Sequence, residues 1–287
     1  MSTYFDNFSI AQYNGQLCRN ITNRVAITQD FIKRTAGFYP YLVPEGERAD
    51  TLSFLYYNAP SLDWLVYFAN DVVDPYYDWH MTEQQFNDYM VSKYGSLIET
   101  QLKVHHFQIE WANDQRFLTQ SAYDALPAVS PNNVKQYWRP TLDDVGMIVG
   151  YGRKPDDRVA TTNRIVELTF DDTTGFVVGE LISQQSGGVV TGYAEITLVE
   201  DTRILVKHVT GVFNILSDVI GFTTQTTYVP TTVSTISEVI PSAEQTYWRP
   251  VSIYEYEELL NNQRRSIKLV NKAFSETAES NLNTLMK

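Results

Sequence analysis

Histidines and paired acidic residues are the side chains of this 287-residue chain that could bind a metal or catalyse a reaction. His105 and His106 are adjacent in a segment with strand character, so we expect their side chains on opposite faces, unable to bind one metal ion together. His80 and His208 have no Cys or His neighbour at ligand spacing, and we interpret them as solvated or hydrogen-bonded histidines. The sequence therefore predicts no metal site.

Three pairs of adjacent aspartates could supply the two carboxylates of a glycosidase, because these groups need only converge in space. The pairs are Asp143-Asp144, Asp156-Asp157 and Asp171-Asp172. Acidic pairs in turns are far more often solvated than catalytic. The chain has no Gly-x-Ser-x-Gly elbow, phosphate-binding loop or dinucleotide fingerprint. We therefore predict no catalytic residue, no cofactor and no enzymatic activity, and keep an enzyme with a hidden carboxylate pair as the weakest of three hypotheses.

The composition narrows the classes of partner. The chain has 34 acidic and 22 basic residues, and its net charge of -12 would repel phosphate backbones, which argues against nucleic acid. Cys18 is the single cysteine, so neither an intramolecular disulfide nor a cysteine zinc site is available, in keeping with a reducing cytoplasm. The first residues lack the pattern of a secretion signal, and the longest apolar stretch, around residues 65–69, is too short to span a bilayer. We expect neither secretion nor membrane insertion.

A strand, a turn and two helices are predicted before Ala69. Residues 41–43 form a short β-type run, and residues 44–46 supply a glycine-containing turn. Apolar residues at helical spacing follow, with a break at Pro60. Ser61 is a suitable N-cap for the second helix.

Two capping boxes mark the starts of further helices. Thr82 with Gln85 predicts a third helix over Glu83–Tyr94. Ser252 with Glu255 predicts a long C-terminal helix. The apolar stripe of this last helix is broken, so we expect it to lie on a partner or on the body of its own chain.

Aromatic residues are abundant, with 19 tyrosines and five tryptophans. Such side chains bring a large contact area and a polar tip to protein interfaces, although most of them fill cores. Trp64 and Tyr67 on the second predicted helix could therefore bind a partner or fill the core. The sequence leaves both interpretations open.

One four-residue motif occurs twice: Tyr137-Trp138-Arg139-Pro140 recurs as Tyr247-Trp248-Arg249-Pro250. Arg139 and Arg249 each stand between Trp and Pro. We interpret them as interface anchors, with the guanidinium stacked on an indole and forked to a carboxylate of a neighbouring subunit. The alternative is the same contact made within the chain.

Between the two copies the composition shifts to Val, Ile, Thr and Gly, which predicts a β module over residues 160–240. The strand candidates are Arg164–Phe170, Val177–Ser183, Tyr193–Glu200, Ile204–Val209 and Val219–Thr224. A small Greek-key or open barrel would accommodate them, and residues 225–246 are interpreted as the return linker. Because the module lies between two similar motifs, we interpret it as an insertion into a host domain whose ends meet, with a tandem of two domains as the alternative.

Several short motifs follow one another in the remainder of the chain. They are Tyr4-Phe5 with Phe8, Ile10 and Tyr13-Asn14-Gly15, then Asn20-Ile21-Thr22 with Arg24, the run from Glu45 to Asp50, the run from Leu62 to Leu65, and Asp74-Pro75 with Trp79. In this order they resemble the baseplate wedge family of contractile-tailed phages over residues 1–140, and the resemblance returns near residues 245–287. The strand, glycine turn and paired helices before Asn70 resemble a LysM module. Members of the wedge family carry a degenerate LysM-like fold that docks other proteins.

The resemblance and the predicted elements together indicate an α+β fold in three parts. These are an N-terminal arm with a LysM-like wedge domain (1–140), an inserted all-β module, a small barrel or Greek key, with linkers (141–246), and a long C-terminal helix that returns to the host domain (247–287). The candidate interface residues are Tyr4, Phe5, Tyr13, Trp64, Tyr67, Trp79, Trp138, Arg139, Trp248 and Arg249.

The function implied by the resemblance is structural. Such a protein would clamp adjacent wedges to one another and to the central hub of a sixfold tail baseplate, in a virion assembled in the host cytoplasm. Its expected partners are other wedge and hub proteins and copies around the ring, without nucleic acid, membrane or cofactor. The alternative function is that of a LysM-type peptidoglycan-binding protein of a lytic or cell-wall-associated system, which the absence of a secretion signal disfavours.

Overall fold

Strands and helices are interspersed along the whole described part of the chain, which is an α+β protein. The computed structural model describes residues 8–21, 37–109, 116–128, 133–154, 156–242 and 244–285. Two compact units share the chain, one formed by residues 1–93 and 257–287 and the other by residues 94–256. The first unit thus combines residues from both ends of the chain. The three-part division predicted at residues 140 and 246 stays a prediction.

The elements are numbered here in chain order. The described strands are β1 (Ile10–Tyr13), β2 (Gln16–Arg19), β3 (Phe38–Leu42), β4 (Val104–Ile109), β5 (Phe117–Leu118), β6 (Trp138–Leu142), β7 (Ile148–Arg153), β8 (Val159–Ala160), β9 (Arg164–Thr169), β10 (Leu181–Ser186), β11 (Val189–Glu200), β12 (Arg203–Gly211), β13 (Val219–Gly221), β14 (Thr227–Tyr228), β15 (Thr232–Glu238), β16 (Trp248–Ser252) and β17 (Ser266–Val270). The described α-helices are α1 (Ala49–Tyr57), α2 (Asp63–Ala69), α3 (Glu83–Tyr94), α4 (Leu97–Leu102), α5 (Gln120–Asp124), α6 (Ile253–Gln263) and α7 (Ser275–Leu285).

The core of the first unit lies between a two-stranded sheet and two helices. Strand β3 pairs antiparallel with β17, with Tyr41 opposite Ile267. Helices α1 and α2 contribute Leu52 and Leu65 to the same buried cluster as Leu269 of β17. The strand that completes the sheet therefore comes from the C-terminal end of the chain. Strand β17 adds Ile267, Leu269 and Val270 to the core of the first unit.

Asn70, which follows α2, covers the backbone of β17. Its Nδ2 donates to the carbonyl oxygens of Val66 and Lys268, both at 2.8 Å. The Lys268 amide in turn donates to Asn70 Oδ1 at 2.7 Å. A side-chain amide carries the same donor and acceptor as a peptide group. Asn70 therefore satisfies the backbone N–H and C=O of Lys268 in the way that a residue of a neighbouring strand would.

The capping box predicted for α3 is confirmed. Thr82 N donates to the Gln85 side chain at 3.0 Å, and Gln85 N donates to Thr82 Oγ1 at 3.3 Å. Ser61, in contrast, does not cap α2. A 3₁₀ turn over Pro60–Leu62 precedes that helix, and its first free amide, that of Trp64, is bound by the Asp63 carboxylate. Pro60 presets the backbone of the turn and moves the helix start beyond Ser61.

The prediction of one long C-terminal helix is wrong. The predicted start is confirmed, because Glu255 N donates to Ser252 Oγ at 3.1 Å, but α6 ends at Gln263 and β17 separates it from α7. Within β17, Ile267 and Leu269 are buried whereas Ser266 and Lys268 are exposed. This alternation has the period of a strand, and pairing with β3 favours it over continuation of the helix.

The second unit contains a seven-stranded antiparallel sheet in the order β14-β13-β10-β11-β12-β9-β15. Each strand candidate of the predicted β module contains or overlaps one of its strands, although residues 177–180 precede β10 and belong to a turn. The linker prediction for residues 225–246 is wrong in part, because β14 and β15 lie there and β15 pairs along β9. Only Val233 and Ile236 are apolar among the seven residues of β15, which is why we read this segment as a linker. Closure of the sheet into a barrel stays a prediction.

Candidate interface sites

The two Tyr-Trp-Arg-Pro motifs adopt the same local structure. A 3₁₀ turn over Val134–Tyr137 leads into β6, and a 3₁₀ turn over Gln245–Tyr247 leads into β16. Both strands lie at the edge of a three-stranded sheet, β6 beside β7 and β16 beside β4. Proline lacks an amide hydrogen and is tolerated at such edges. The repeated motif is therefore a repeated turn-and-edge-strand element.

The two motifs lie against each other inside the second unit. The rings of Tyr137 and Tyr247 are 5.9 Å apart between centroids. The guanidinium of Arg153 lies 4.1 Å from the Trp138 ring and 5.3 Å from the Tyr247 ring. We refer to these four residues together with Glu244 as the motif junction.

A buried carboxylate holds the motif junction together. Glu244 accepts hydrogen bonds from the Tyr137 hydroxyl at 2.5 Å and from Trp248 Nε1 at 3.4 Å. Arg158 balances its charge at 3.2 Å. Burial, and then the hydrogen bond to Glu244, raise the pKa of Tyr137 to about 12. The tyrosine therefore stays a neutral donor throughout the physiological range.

The structure pairs the tryptophans of the motifs with arginines that the sequence did not single out. Arg153 lies on Trp138, and Arg158 lies on Trp248 at 5.6 Å from the ring centroid. Arg249 Nη1 donates to both carboxylate oxygens of Glu255, at 2.6 and 2.9 Å, so this arginine makes the within-chain contact that was the alternative to an interface anchor. Arg153 lies opposite Trp138 in the pairing of β6 with β7. The sequence alone does not reveal this register, so it could not identify Arg153 as the partner of Trp138.

Arg139 differs from Arg249 in its surroundings. Its side chain is exposed on edge strand β6, and the described residues offer it no ion-pair partner within 4 Å. Its use as an interface anchor stays a prediction.

Trp64 and Trp79 are buried in the core of the first unit, and Tyr67 is half-buried. Trp79 Nε1 donates to the Glu47 carbonyl oxygen at 2.8 Å, and the Tyr67 and Trp79 rings meet edge to face at 5.8 Å. These contacts fit the core interpretation that the sequence had left open. Their use as interface residues stays a prediction.

The hairpin β1–β2 carries the most exposed aromatic residue among the described interface candidates. Tyr13 is 77% exposed, and so is Leu17 on the opposite strand. A two-stranded hairpin cannot cover both of its own faces, so these side chains are open to a partner. Tyr4 and Phe5 lie outside the described residues.

The prediction that His105 and His106 point to opposite faces is wrong. Their Nδ1 atoms are 2.8 Å apart, and Tyr256 stacks on the His105 ring at 3.9 Å between centroids. The register between β4 and β16 shifts at this point, because Val251 pairs with His106 and Ser252 with Val104. The extra residue of such a bulge turns its side chain out of the normal alternation.

The other residues considered as candidates for catalysis or metal binding form hydrogen bonds or ion pairs within the chain. Asp143 binds amides of its own turn, Asp156 binds Arg158, and Asp172 binds Thr174. His208 lies with Nδ1 3.0 Å from a Glu195 oxygen. Within the described ranges, no three or more His, Cys, Asp and Glu side chains are grouped so as to hold a metal. None of the helices that the structure describes is long and apolar enough to cross a membrane.

Comparison with known proteins bears on the N-terminal half of the chain. The family model described as base plate wedge protein 53 matches residues 5–137. This part of the chain is therefore similar to the base plate wedge protein 53 family. Baseplate wedge protein gp53 of Enterobacteria phage T4 is 27% identical over 104 residues, which are 35% of this chain and 51% of the T4 protein. The chain thus spans about half the length of this relative.

The match to the wedge family confirms the resemblance predicted from the order of the short motifs. It contains Tyr13, Trp64, Tyr67 and Trp79, and it ends at Tyr137 within the motif junction. The seven-stranded sheet and β17 lie outside the matched residues.

Proposed function

We propose that this chain is a structural component of a phage tail baseplate wedge, and that it acts by binding other baseplate proteins. The family match over residues 5–137 carries the proposal. The T4 relative is itself named a baseplate wedge protein. Binding and not catalysis is the proposed activity, because one aspartate of each acidic pair is hydrogen-bonded within its own turn.

The wedge domain is LysM-like in this proposal. Strand β3, helices α1 and α2, and strand β17 form a strand-helix-helix-strand arrangement around one core. Its second strand is supplied from beyond the second unit, so residues 94–256 are an insertion between the two parts of the wedge domain. The side-chain amide of Asn70, in the N-terminal part of the wedge domain, binds the backbone of Lys268 in its C-terminal part.

Two surfaces are proposed to hold neighbouring subunits. The β1–β2 hairpin offers Tyr13 and Leu17, which leave large apolar areas uncovered. Arg139 offers a guanidinium that has no ion-pair partner among the described residues, on an edge strand, and it is suited to a carboxylate of the next wedge or of the hub. Around a sixfold ring these contacts would clamp each wedge to its neighbours.

The test is complementation of a phage that lacks this gene. Particles made with the wild-type chain should contain it in the purified baseplate, in copy numbers that are multiples of the ring symmetry. The double substitution Tyr13→Asp with Leu17→Asp should reduce incorporation, whereas Val145→Asp should not. Val145 is 82% exposed and provides a matched aliphatic control. Purified baseplates that lack the wild-type chain would refute the proposal.

A second candidate function is glycan binding by the LysM-like arrangement. A cleft of about 310 Å³ in the first unit is lined by Asn70, Trp79, Arg264 and Ile267, among others. Saturable binding to peptidoglycan that chitooligosaccharides displace would favour this function. Binding that survives the competitor would leave only non-specific adsorption.

A further inference from the structure

A bulge in strand β4 brings two imidazole rings together. The register of β4 with β16 shifts between Val251 and Ser252, and the extra residue of β4 at this shift is His105. The Nδ1 atoms of His105 and His106 lie 2.8 Å apart. The prediction of no metal site at these histidines relied on side chains that point to opposite faces. That reason no longer applies.

Tyr256 holds both rings in this arrangement. Its ring stacks on that of His105 at 3.9 Å between centroids and an interplanar angle of 8°, and it meets the His106 ring edge to face at 5.8 Å. All three residues belong to the second unit. His105 is exposed and His106 is half-buried, so the pair lies at the surface. Because the rings are already positioned, little conformational freedom is lost when both bind the same ion.

The separation of the two nitrogen atoms matches one coordination geometry. With metal–nitrogen bonds of about 2.0 Å, two ligands at 90° lie about 2.8 Å apart, whereas two ligands of a tetrahedral ion lie about 3.3 Å apart. The observed 2.8 Å is therefore the spacing of neighbouring positions around a tetragonal ion. Cu²⁺ and Ni²⁺ prefer this geometry, and the affinity of nitrogen ligands is highest for Cu²⁺ among the divalent ions of the first row.

We propose that His105 and His106 bind a divalent transition-metal ion through both Nδ1 atoms, with Cu²⁺ preferred to Ni²⁺ and Zn²⁺. Without metal, one Nδ1 donates its hydrogen to the other, since a neutral imidazole has one donor and one acceptor nitrogen. On binding, that proton moves to Nε2 of its own ring, and each Nδ1 donates its lone pair to the ion. Among the residues that the structure describes, no third His, Cys, Asp or Glu joins the pair, so water or another molecule fills the remaining positions. The proposal is independent of the proposed function.

Calorimetric titration of the tag-free protein with Cu²⁺ and with Zn²⁺ tests the proposal. We expect one Cu²⁺ ion per chain at this pair, bound more tightly than Zn²⁺. His105→Ala and His106→Ala should each weaken Cu²⁺ binding about 100-fold or more, because the second of two linked ligands binds in an intramolecular step. His80→Ala is the matched control, since Nδ1 of His80 lies 3.1 Å from the Asn261 carbonyl oxygen and not beside another imidazole. Tighter binding of Zn²⁺, or an equal loss in all three variants, would overturn the proposal.

Pulsed electron paramagnetic resonance of the wild-type protein with one equivalent of Cu²⁺ provides a second measurement, which needs no variant. The echo modulation should contain the combination lines of two coordinated imidazoles. A spectrum with one imidazole, or with none, would contradict the proposal. The circular dichroism of His105→Ala should match that of the wild type, because His105 is exposed. If a variant does not fold, the number of imidazoles bound to Cu²⁺ in the wild type still decides the question.

Discussion

Asn70→Ala should loosen the pairing of the two chain ends in the first unit. The substitution removes three hydrogen bonds, one to Val66 and two to Lys268. Each is worth about 1 kcal/mol, but water can replace the exposed bonds to Lys268, so we expect a net loss of about 2 kcal/mol. Asn70→Asp should cost more, because a carboxylate oxygen would then face the two carbonyl oxygens that Nδ2 now binds.

Hydrogen exchange followed by mass spectrometry reads this effect locally. Peptides that cover β3 and β17 should exchange about 30-fold faster in Asn70→Ala, which corresponds to the expected loss of about 2 kcal/mol. Asn262→Ala is the matched control, since Asn262 is exposed near the end of α6. Equal exchange in the two variants would refute the role given to the Asn70 amide. Global unfolding is a poorer assay, because two compact units need not unfold in one transition.

Further predictions concern the motif junction, the helix cap and the sheet. The raised pKa of Tyr137, about 12, means that its neutral form stabilises the second unit fully below pH 10 and that this contribution is lost as the pH rises from about 10 to about 12. Tyr137→Phe should remove that part of the alkaline transition, measured by circular dichroism against pH, and an unchanged profile would contradict the assignment. Thr82→Ala should lower the free energy of unfolding by about 1 kcal/mol in urea titrations, and an effect near zero would mean that the cap is redundant. Gly211→Ala should prevent the sheet from forming, because its φ is +75° and the added Cβ would overlap the Thr191 carbonyl oxygen. Gly188→Ala, at φ +80° with open space around it, should cost only about 1 kcal/mol, and comparable expression and melting of the two glycine variants would argue against the overlap.

Local signals predicted the elements whose causes are local. The capping boxes at Thr82 and Ser252 placed helix starts correctly, since the bonds involved span three residues. Strand β9 was also predicted, because the residue types of this segment themselves favour strands.

Elements that depend on distant partners were missed. Strand β17 is a strand because β3 is its neighbour, since an alternation over only the five residues 266–270 is too short to decide by itself between a strand and a helix. The bulge that brings His105 beside His106 arises from the register with β16, and the stacking of Arg153 on Trp138 arises from the register of β6 with β7. Register is a property of a pair of strands, so no window along one strand reveals it.

The residues matched by the family model end before the residues that complete the core of the first unit. The matched residues stop at Tyr137, yet the core that contains Leu52 and Leu65 of the matched part also contains Leu269 of β17. Without β17, strand β3 would keep a row of unpaired backbone groups and the apolar core would face water on one side. The matched residues therefore do not form a complete folding unit. We therefore expect a relative that shares α1 and α2 to supply an equivalent strand from its own C-terminal part or from another subunit, which the structure of such a relative would test.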